Sequence, residues 1–520
     1  MTNPTSNPQT SADHPKAILI GTPETLPMLS GQLALLPNAP QAVGYVVAEG
    51  TSTTFDTLET LPRLVGTVRP DVAIVSLPRD STALARRVQS LLASLGVPER
   101  TVPPLSEMID RPAGTSPTAT LGSTNWADLI GRRPHAIDRR AVGETITGRR
   151  VLITGAGGSI GSELARIVAG FEPSLIVLME RSENALFEID RELAERFPKV
   201  VRKAVLHDIT DSDATLRLFA TLRPHTVFHA AAHKHVPLME DHPSHAVTNN
   251  LFGTKSVTDA SLATGVGRFV LISSDKAVNP SSVMGATKRL AEIYVQALHR
   301  QGRAVSPTAT RFAAVRFGNV LGSACSVLPI WSSQIERGGP VTVTDDRMTR
   351  YFMTINEAAT LVVQAGAQTG DTPVAPLYVL DMGEPLKIFD LAQRFVRSRG
   401  FTPVTGAAVD SGTEPSMLIA LTGIRPGEKL HEELAYDRER LAPTAHPGIR
   451  AWRGDSGERA NLPALVADLS LVRNETSRDT VIEVIRRYVP EMKTGATTEP
   501  KLVGEHTNQT KTDRPGALAA

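Results

Sequence analysis

The stretch RRVLITGAGGSIGSELARIVAG, residues 149–170, decides the fold. It opens as an apolar strand, passes through Gly155, Gly158 and Gly161, and runs on into a helix with Leu164, Ile167 and Val168 on one face. A strand, a glycine turn and a helix in that order suit a pyrophosphate. Bare glycines let backbone N–H groups come close, and the helix N-terminus adds free donors and a favourable dipole. Ser159 and Ile160, between the second and third glycines, belong to the same cradle. A glycine triplet by itself is a weak signal. Here a second strand, SLIVLME, ends in Glu180, roughly twenty residues on, where an acid can hold the ribose hydroxyls of NAD. An acid there disfavours a 2′-phosphate, and Arg181 beside it keeps NADP as the alternative. Further along, VLHDIT places Asp208 and Ile209 at the adenine, and HTVFHAAA supplies Ala230 and Ala231, small enough for backbone to lie against a cofactor.

Outward from this core, the chain has 520 residues, too many for one hydrophobic core. Lys plus Arg (55) and Asp plus Glu (54) nearly cancel, so the footprint of a nucleic-acid binder is missing. A single cysteine, Cys325, allows neither an intramolecular disulfide nor a thiolate metal cluster and suits a reducing cytoplasm. The longest apolar runs, such as VGYVV and FVLIS, are far too short to span a bilayer, so a cytoplasmic protein with no signal peptide and no integral membrane segment is expected. His229, His233 and His235 have no carboxylate or cysteine at a spacing that would complete a metal site, and none is expected.

The fold class expected is α/β, a Rossmann-type doubly wound parallel sheet with a smaller substrate subdomain. A polar tail occupies residues 1–14, and alternating strand and helix signals from KAILIG onward predict a small α/β domain over 15–110. Its first strand runs into GTPETLP where a dinucleotide domain would carry glycines, so it reads as a degenerate Rossmann-like module. Residues 111–146 read as a linker, with a short helix around 125–129, and their basic RRPH and DRR clusters read as solvated charge. The main domain covers 147–490, its substrate part mainly after 310, and 491–520 form a second polar tail.

The segment RFVLISSDKAVNPSSVMGATKRLAE, residues 268–292, carries a family resemblance, together with TGAGGSIGSEL, HAAAHKHVPLME, VRFGNVLGS, MTRYFMTI and RPGEKLHEEL. This set resembles the nucleotide-sugar 4,6-dehydratases of capsule and O-antigen biosynthesis that act on UDP-N-acetylglucosamine, within the extended short-chain dehydrogenase superfamily. It spans residues 147–490 and departs from the pattern in three places. Familiar members often carry transmembrane helices ahead of the N-terminal α/β domain, and none is visible here. The superfamily's tyrosine, four residues before its lysine, is Met284 before Lys288, as in the branch that resembles C5-retaining members. Cys325 and Trp331 replace the more usual Gly and Phe in a loop expected to line the sugar nucleotide.

The resemblance implies a lyase in which C4 is oxidised, the C5 proton is lost, water leaves from C6 and hydride returns to C6. The candidate catalytic set is Ser274, Asp275, Lys276, Met284 and Lys288. Lys276 is then the base for C5, its pKa lowered by burial and cationic neighbours, and Asp275 the acid for the C6 hydroxyl. Ser274 or Asp275 is the candidate for the O4 proton, since Met284 cannot exchange one. Lys288 would hold the nicotinamide ribose. Lys234, Arg316, Asn319, Arg350, Arg425 and Glu428 are the expected sugar-nucleotide contacts, because arginine's planar fork matches a diphosphate. The expected partners are a UDP-sugar and further copies of the chain in a homo-oligomer. A C5-inverting dehydratase, an NAD-dependent epimerase and a non-catalytic NAD-binding scaffold stand as alternatives.

Overall fold

A computed structural model describes residues 15–34, 39–48, 54–77, 82–102, 129–132, 134–306, 308–370, 375–406, 415–436, 439–452 and 461–493. The expected tail over 1–14 and most of the one over 491–520 lie outside the described residues, as do 125–128 of the short helix.

One parallel and one largely parallel sheet organise the chain. The smaller has five strands in the spatial order Asp56–Thr57, Gln41–Val47, Lys16–Gly21, Val72–Ser76, Glu99–Thr101. Its central strands are near-continuous apolar runs, with Ser76 the buried polar residue at the end of one, as parallel strands covered by helices tend to be. The larger sheet has nine strands. From one edge they run Arg202–Leu206, Leu175–Glu180, Arg150–Thr154, Thr226–His229, Arg268–Ile272, Arg311–Arg316, Leu377–Leu380, Ile449–Trp452 and Ala442–Pro443. The first seven are parallel and the last two antiparallel. The chain winds outward from Arg150–Thr154 through two strands and then returns to its other side at Thr226–His229. That reversal is the switch point at which open α/β sheets bind ligands, and it puts the glycine turn and Ala230 at the mouth of one crevice.

Each face of the large sheet has its own apolar layer. Helices Arg139–Ile146, Ser159–Ala169, Glu183–Arg196 and Ile355–Gln368 cover one, and Ser212–Leu222, Gly253–Ala263, Val283–Val305, Leu462–Leu471 and Arg478–Tyr488 cover the other. A third cluster, around Trp331, Phe395, Val341 and Ile419, forms the smaller unit built mainly from residues after 310. Among the described residues no helix is long and apolar enough to cross a membrane.

The segment read as a linker is partly built into the large domain. Leu129 and Ile130 enter the third cluster, and Val142 and Ile146 enter the layer of Ser159–Ala169 and Ile355–Gln368 from a helix capped by Asp138. Arg132, expected in solvent, makes a two-pronged pair with fully buried Glu357 and donates to the Asp381 carbonyl. Its charge was legible, but its partners lie more than two hundred residues away in sequence.

Candidate active site

Gly155 stands at φ +64, and a Cβ there would sit 2.7 Å from the Ala231 nitrogen and 2.8 Å from its Cα. Only glycine makes this turn, and Ala230 and Ala231 are small because the turn lies against them. Gly161 packs its bare Cα on the Gly155 carbonyl. The helix Ser159–Ala169 begins after Gly158 with no side-chain cap, leaving its first N–H groups directed at the crevice. Glu180 closes the turn from the next strand. One carboxylate oxygen accepts from the Gly157 N–H (3.2 Å), the other from the N–H groups of Arg181 (2.9 Å) and Ser182 (3.1 Å). Arg181 instead reaches Asn249 and His233, both at 3.3 Å. Asp208 accepts from the Thr210 backbone and hydroxyl, and these bonds with Arg181 hold its carboxyl below the usual range against the opposing pull of burial. Ile209 is buried against Gly253, and Ile160 and Ala230 pack on the layer of Ser159–Ala169 and Ile355–Gln368. A cradle of glycine backbone, an uncapped helix start and an acid at the adjoining strand end fits a dinucleotide such as NAD.

Ser159 and Lys234 meet the loop bearing Cys325. The Ala324 N–H donates to Ser159 Oγ (3.0 Å) and Lys234 Nζ donates to the Ala324 carbonyl (2.8 Å), so this loop reaches across to the helix start. Trp331, expected at the sugar, is instead fully buried, with its indole N–H on the Thr342 carbonyl and its ring near Phe395. Both ring nitrogens of His229 are taken by Thr154 and Thr254, and burial with Lys288 nearby lowers its pKa to about 3. Among the described residues no group of side chains could hold a metal ion.

Strand Arg268–Ile272 delivers the second half of the site. Ser274 caps a single turn, Asp275–Ala277, by accepting from the Lys276 N–H, and its hydroxyl donates to Asp275 Oδ1 (2.8 Å). Asp275 is fully buried. Its Oδ1 also takes Lys276 Nζ at 3.0 Å, and its Oδ2 has no hydrogen-bond partner. Lys276 Nζ further reaches Asn319 Oδ1 (3.2 Å) and Glu432 Oε1 (3.6 Å). Burial would pull this ammonium down, but the charges of Asp275 and Glu432, only partly countered by Arg350, carry it above the ordinary lysine value. The expectation of a lowered Lys276 therefore fails, because its near neighbours are acids. The lowered lysine is Lys288, buried with its Nζ on the Ile272 carbonyl (2.8 Å) and brought to about 8 by desolvation that Glu292 only partly offsets. Met284 lies in the apolar core at 2% exposure and packs there.

A cavity of about 120 Å³ opens beside Lys276, lined by Asn319, Arg350, Glu428, Lys429, Glu432 and Ser282 among others. Arg350 spends its guanidinium on the carbonyls of Thr349, Lys429 and Leu430, with Nε 4.0 Å from Glu432. Arg425 is mostly exposed and pairs with Glu428. Arg316, expected on the sugar nucleotide, is completely buried, bidentate to Glu292 and paired at 2.7 Å with Glu439. It is part of an interior network, since a strand residue pointing into the helix layer cannot also face the crevice. Lys429 and Glu432 were overlooked. They stand in the quoted RPGEKLHEEL, but nothing in that spacing says which of its three acids, Glu428, Glu432 and Glu433, turns inward.

The pattern "Polysaccharide biosynthesis protein" matches residues 151–453. The probable polysaccharide biosynthesis protein EpsC of Bacillus subtilis is 43% identical over 411 residues, which cover 79% of this chain and 65% of that protein. The UDP-N-acetylglucosamine 4,6-dehydratase (inverting) of Campylobacter jejuni serotype O:2 is 31% identical over 288 residues, 55% of this chain and 76% of its own length. Among solved structures, Pen from Bacillus thuringiensis is 29% identical with a TM-score of 0.52, covering 61% of this chain and 92% of that one. Carrying an extended short-chain dehydrogenase fold with the glycine turn and the pair of buried Asp275 and partly buried Lys276 at the carboxyl end of its sheet, the chain belongs to the polysaccharide biosynthesis protein family.

Proposed function

We propose that this protein is an NAD-dependent nucleotide-sugar 4,6-dehydratase, a hydro-lyase that converts UDP-N-acetylglucosamine to a UDP-4-keto-6-deoxy-N-acetylhexosamine for surface polysaccharide. The observation that carries the reading is Lys276, held with its amine among Asp275, Asn319 and Glu432 at the wall of a cavity where the large sheet ends.

NAD held in the glycine turn would supply the hydride acceptor for C4 and the donor for C6. Gly155, Gly158, Ser159 and Gly161 would receive the pyrophosphate, Glu180 the adenosine ribose and Asp208 the adenine. Lys288, with an amine that gives up its proton near neutral pH more readily than a free lysine, would hold the nicotinamide ribose. Lys276 removes the C5 proton that the C4 ketone has made acidic, and returns one to C5 at the end. Asp275 protonates the departing C6 hydroxyl, and its free Oδ2 is the atom for that transfer. Ser274, bonded to Asp275, passes the O4 proton to that acid, so Met284 leaves no gap in the proton count. Arg350, Lys429 and Asn319 form the wall toward the sugar nucleotide.

Retention at C5 is the finer part of this reading and rests on Met284 in place of tyrosine. Inversion is the second reading, favoured by the name of the Campylobacter relative. A simple 4-epimerase would have no use for the Asp275–Lys276 pair. Purified protein incubated with UDP-N-acetylglucosamine should give a product lighter by one water, whose C5 configuration the sugar NMR reads. A product of unchanged mass epimeric at C4 would replace the dehydratase with an epimerase. Bound NAD without turnover of any UDP-sugar would leave a scaffold.

A further inference from the structure

Lys276 is bound to its own loop by Asp275 and to a distant segment by Glu432. The turn Asp275–Ala277 after strand Arg268–Ile272 carries the first acid, and residues 427–433 carry the second. That segment is docked on the Lys276 loop at three further points. Lys429 Nζ donates to the Val278 carbonyl (2.6 Å), Ser281 Oγ to the Gly427 carbonyl (2.9 Å), and Asn279 Nδ2 to Glu433 (2.6 Å). Glu432 itself is 8% exposed. Its Oε1 lies 3.6 Å from Lys276 and 4.0 Å from Arg350, and its Oε2 lies 3.8 Å from Lys429 with no hydrogen-bond partner. A buried carboxylate oxygen without such a partner costs free energy unless something else in the cavity uses it. Glu432 and Asp275 each keep one oxygen in that condition, on two elements that meet at the same amine.

We propose that Glu432 is a positioning residue for Lys276: with Asp275 it holds the amine in the cavity as an ammonium in the resting enzyme, and it accepts the ammonium proton when the base is needed. This rests on the reading of Lys276 as the C5 base and deepens it. The step balances. Lys276 ammonium and Glu432 carboxylate become amine and carboxylic acid, the amine then takes the C5 proton, and on return of that proton to C5 the acid gives its own back to the amine. No further reactant is involved. The charged groups facing Lys276 are Asp275 and Glu432, which hold its proton, and Arg350 and Lys429, which work against it. An acid this close shifts such a group by about one to three pH units. Glu428, on the same cavity wall, is committed to Arg425 and takes no part.

The test reads the proton on Lys276 directly and without sugar. Full-length protein is acylated with trace acetic anhydride across a pH series, and the modification at Lys276 is quantified by mass spectrometry. Glu432→Gln should lower the pH midpoint of Lys276 acylation by about one to three units, and the ascending limb of any pH–rate profile should move the same way. Glu428→Gln should leave the midpoint where it is. If Glu432→Gln does not fold, Glu432→Asp, which withdraws the charge by one methylene, should give the same shift on a smaller scale. A midpoint unmoved in the folded Glu432 variants, or moved equally by Glu428→Gln, overturns the proposal. Failure of the dehydratase reading would show instead as a wild-type enzyme that makes no 6-deoxy product, whatever the labelling shows.

Discussion

The two sheets share a winding pattern but differ at the one place where such sheets bind ligands. In the N-terminal sheet the switch point lies between Lys16–Gly21 and Val72–Ser76, and Thr25 closes it. Its hydroxyl donates to the Ser76 carbonyl (3.0 Å) and accepts from the Thr22 N–H (2.8 Å), joining the ends of the two central strands. In the large sheet the same place is occupied by Gly155 against Ala231, with an uncapped helix start beside it and the acid Glu180 next door. Topology makes a crevice in both, and the side chain at its mouth decides whether a ligand can use it. One region has turned the crevice into a hydrogen-bonded seam. The other has kept backbone donors unspent.

The sharpest break of this comparison is Lys276→Ala. If the chemistry belongs to the large sheet alone, the variant should bind NAD and UDP-sugar but lose about two to four powers of ten in turnover, the usual contribution of a positioned base. Deuterium incorporation at C5 in heavy water should fall with it. Exchange and product formation at the wild-type rate would remove Lys276 from the mechanism.

Arg316→Met comes next. It leaves Glu292 and Glu439 buried around a lost cation, and breaking such a pair costs about 3–5 kcal/mol. Urea unfolding should show that loss. Unchanged stability with a raised KM for the UDP-sugar would return Arg316 to the substrate wall.

Gly155→Ala forces a side chain into Ala231 at positive φ, a strain of about 1–3 kcal/mol, and should weaken NAD binding in calorimetry. Gly96 of the N-terminal domain also has positive φ (+70), but a Cβ there meets nothing within 4 Å. Gly96→Ala should therefore cost less and leave NAD affinity untouched. Equal effects on NAD would mean that the close approach to Ala231 is irrelevant. The smallest expected effect is Thr25→Val. Loss of its hydrogen bonds should lower stability by about 1 kcal/mol with no change in NAD binding, and a clear fall in NAD affinity would make the N-terminal crevice a nucleotide site after all.

How much was legible follows the range of the interactions. The glycine turn, the acid at Glu180 and the Ser274-Asp275-Lys276 turn were readable because each is local: a strand end, a few residues of special backbone, and the start of a helix. The degenerate character of the N-terminal module was readable in GTPETLP, where Thr25 stands four residues after Gly21. What tertiary structure decided is the company each charge keeps. Arg316 turned inward because strand alternation points it at Glu292 on a packed helix. Arg132 left the solvent for Glu357, and Met284 and Trp331 went into cores. Lys276 met Asp275 and Glu432, the latter from 156 residues away, and its pKa rose, while Lys288 met burial that Glu292 only partly offsets, and its pKa fell to about 8. Sequence names the ionisable groups and their local turns. Their pKa values depend on charge and burial within a few ångströms, which only the folded chain brings together.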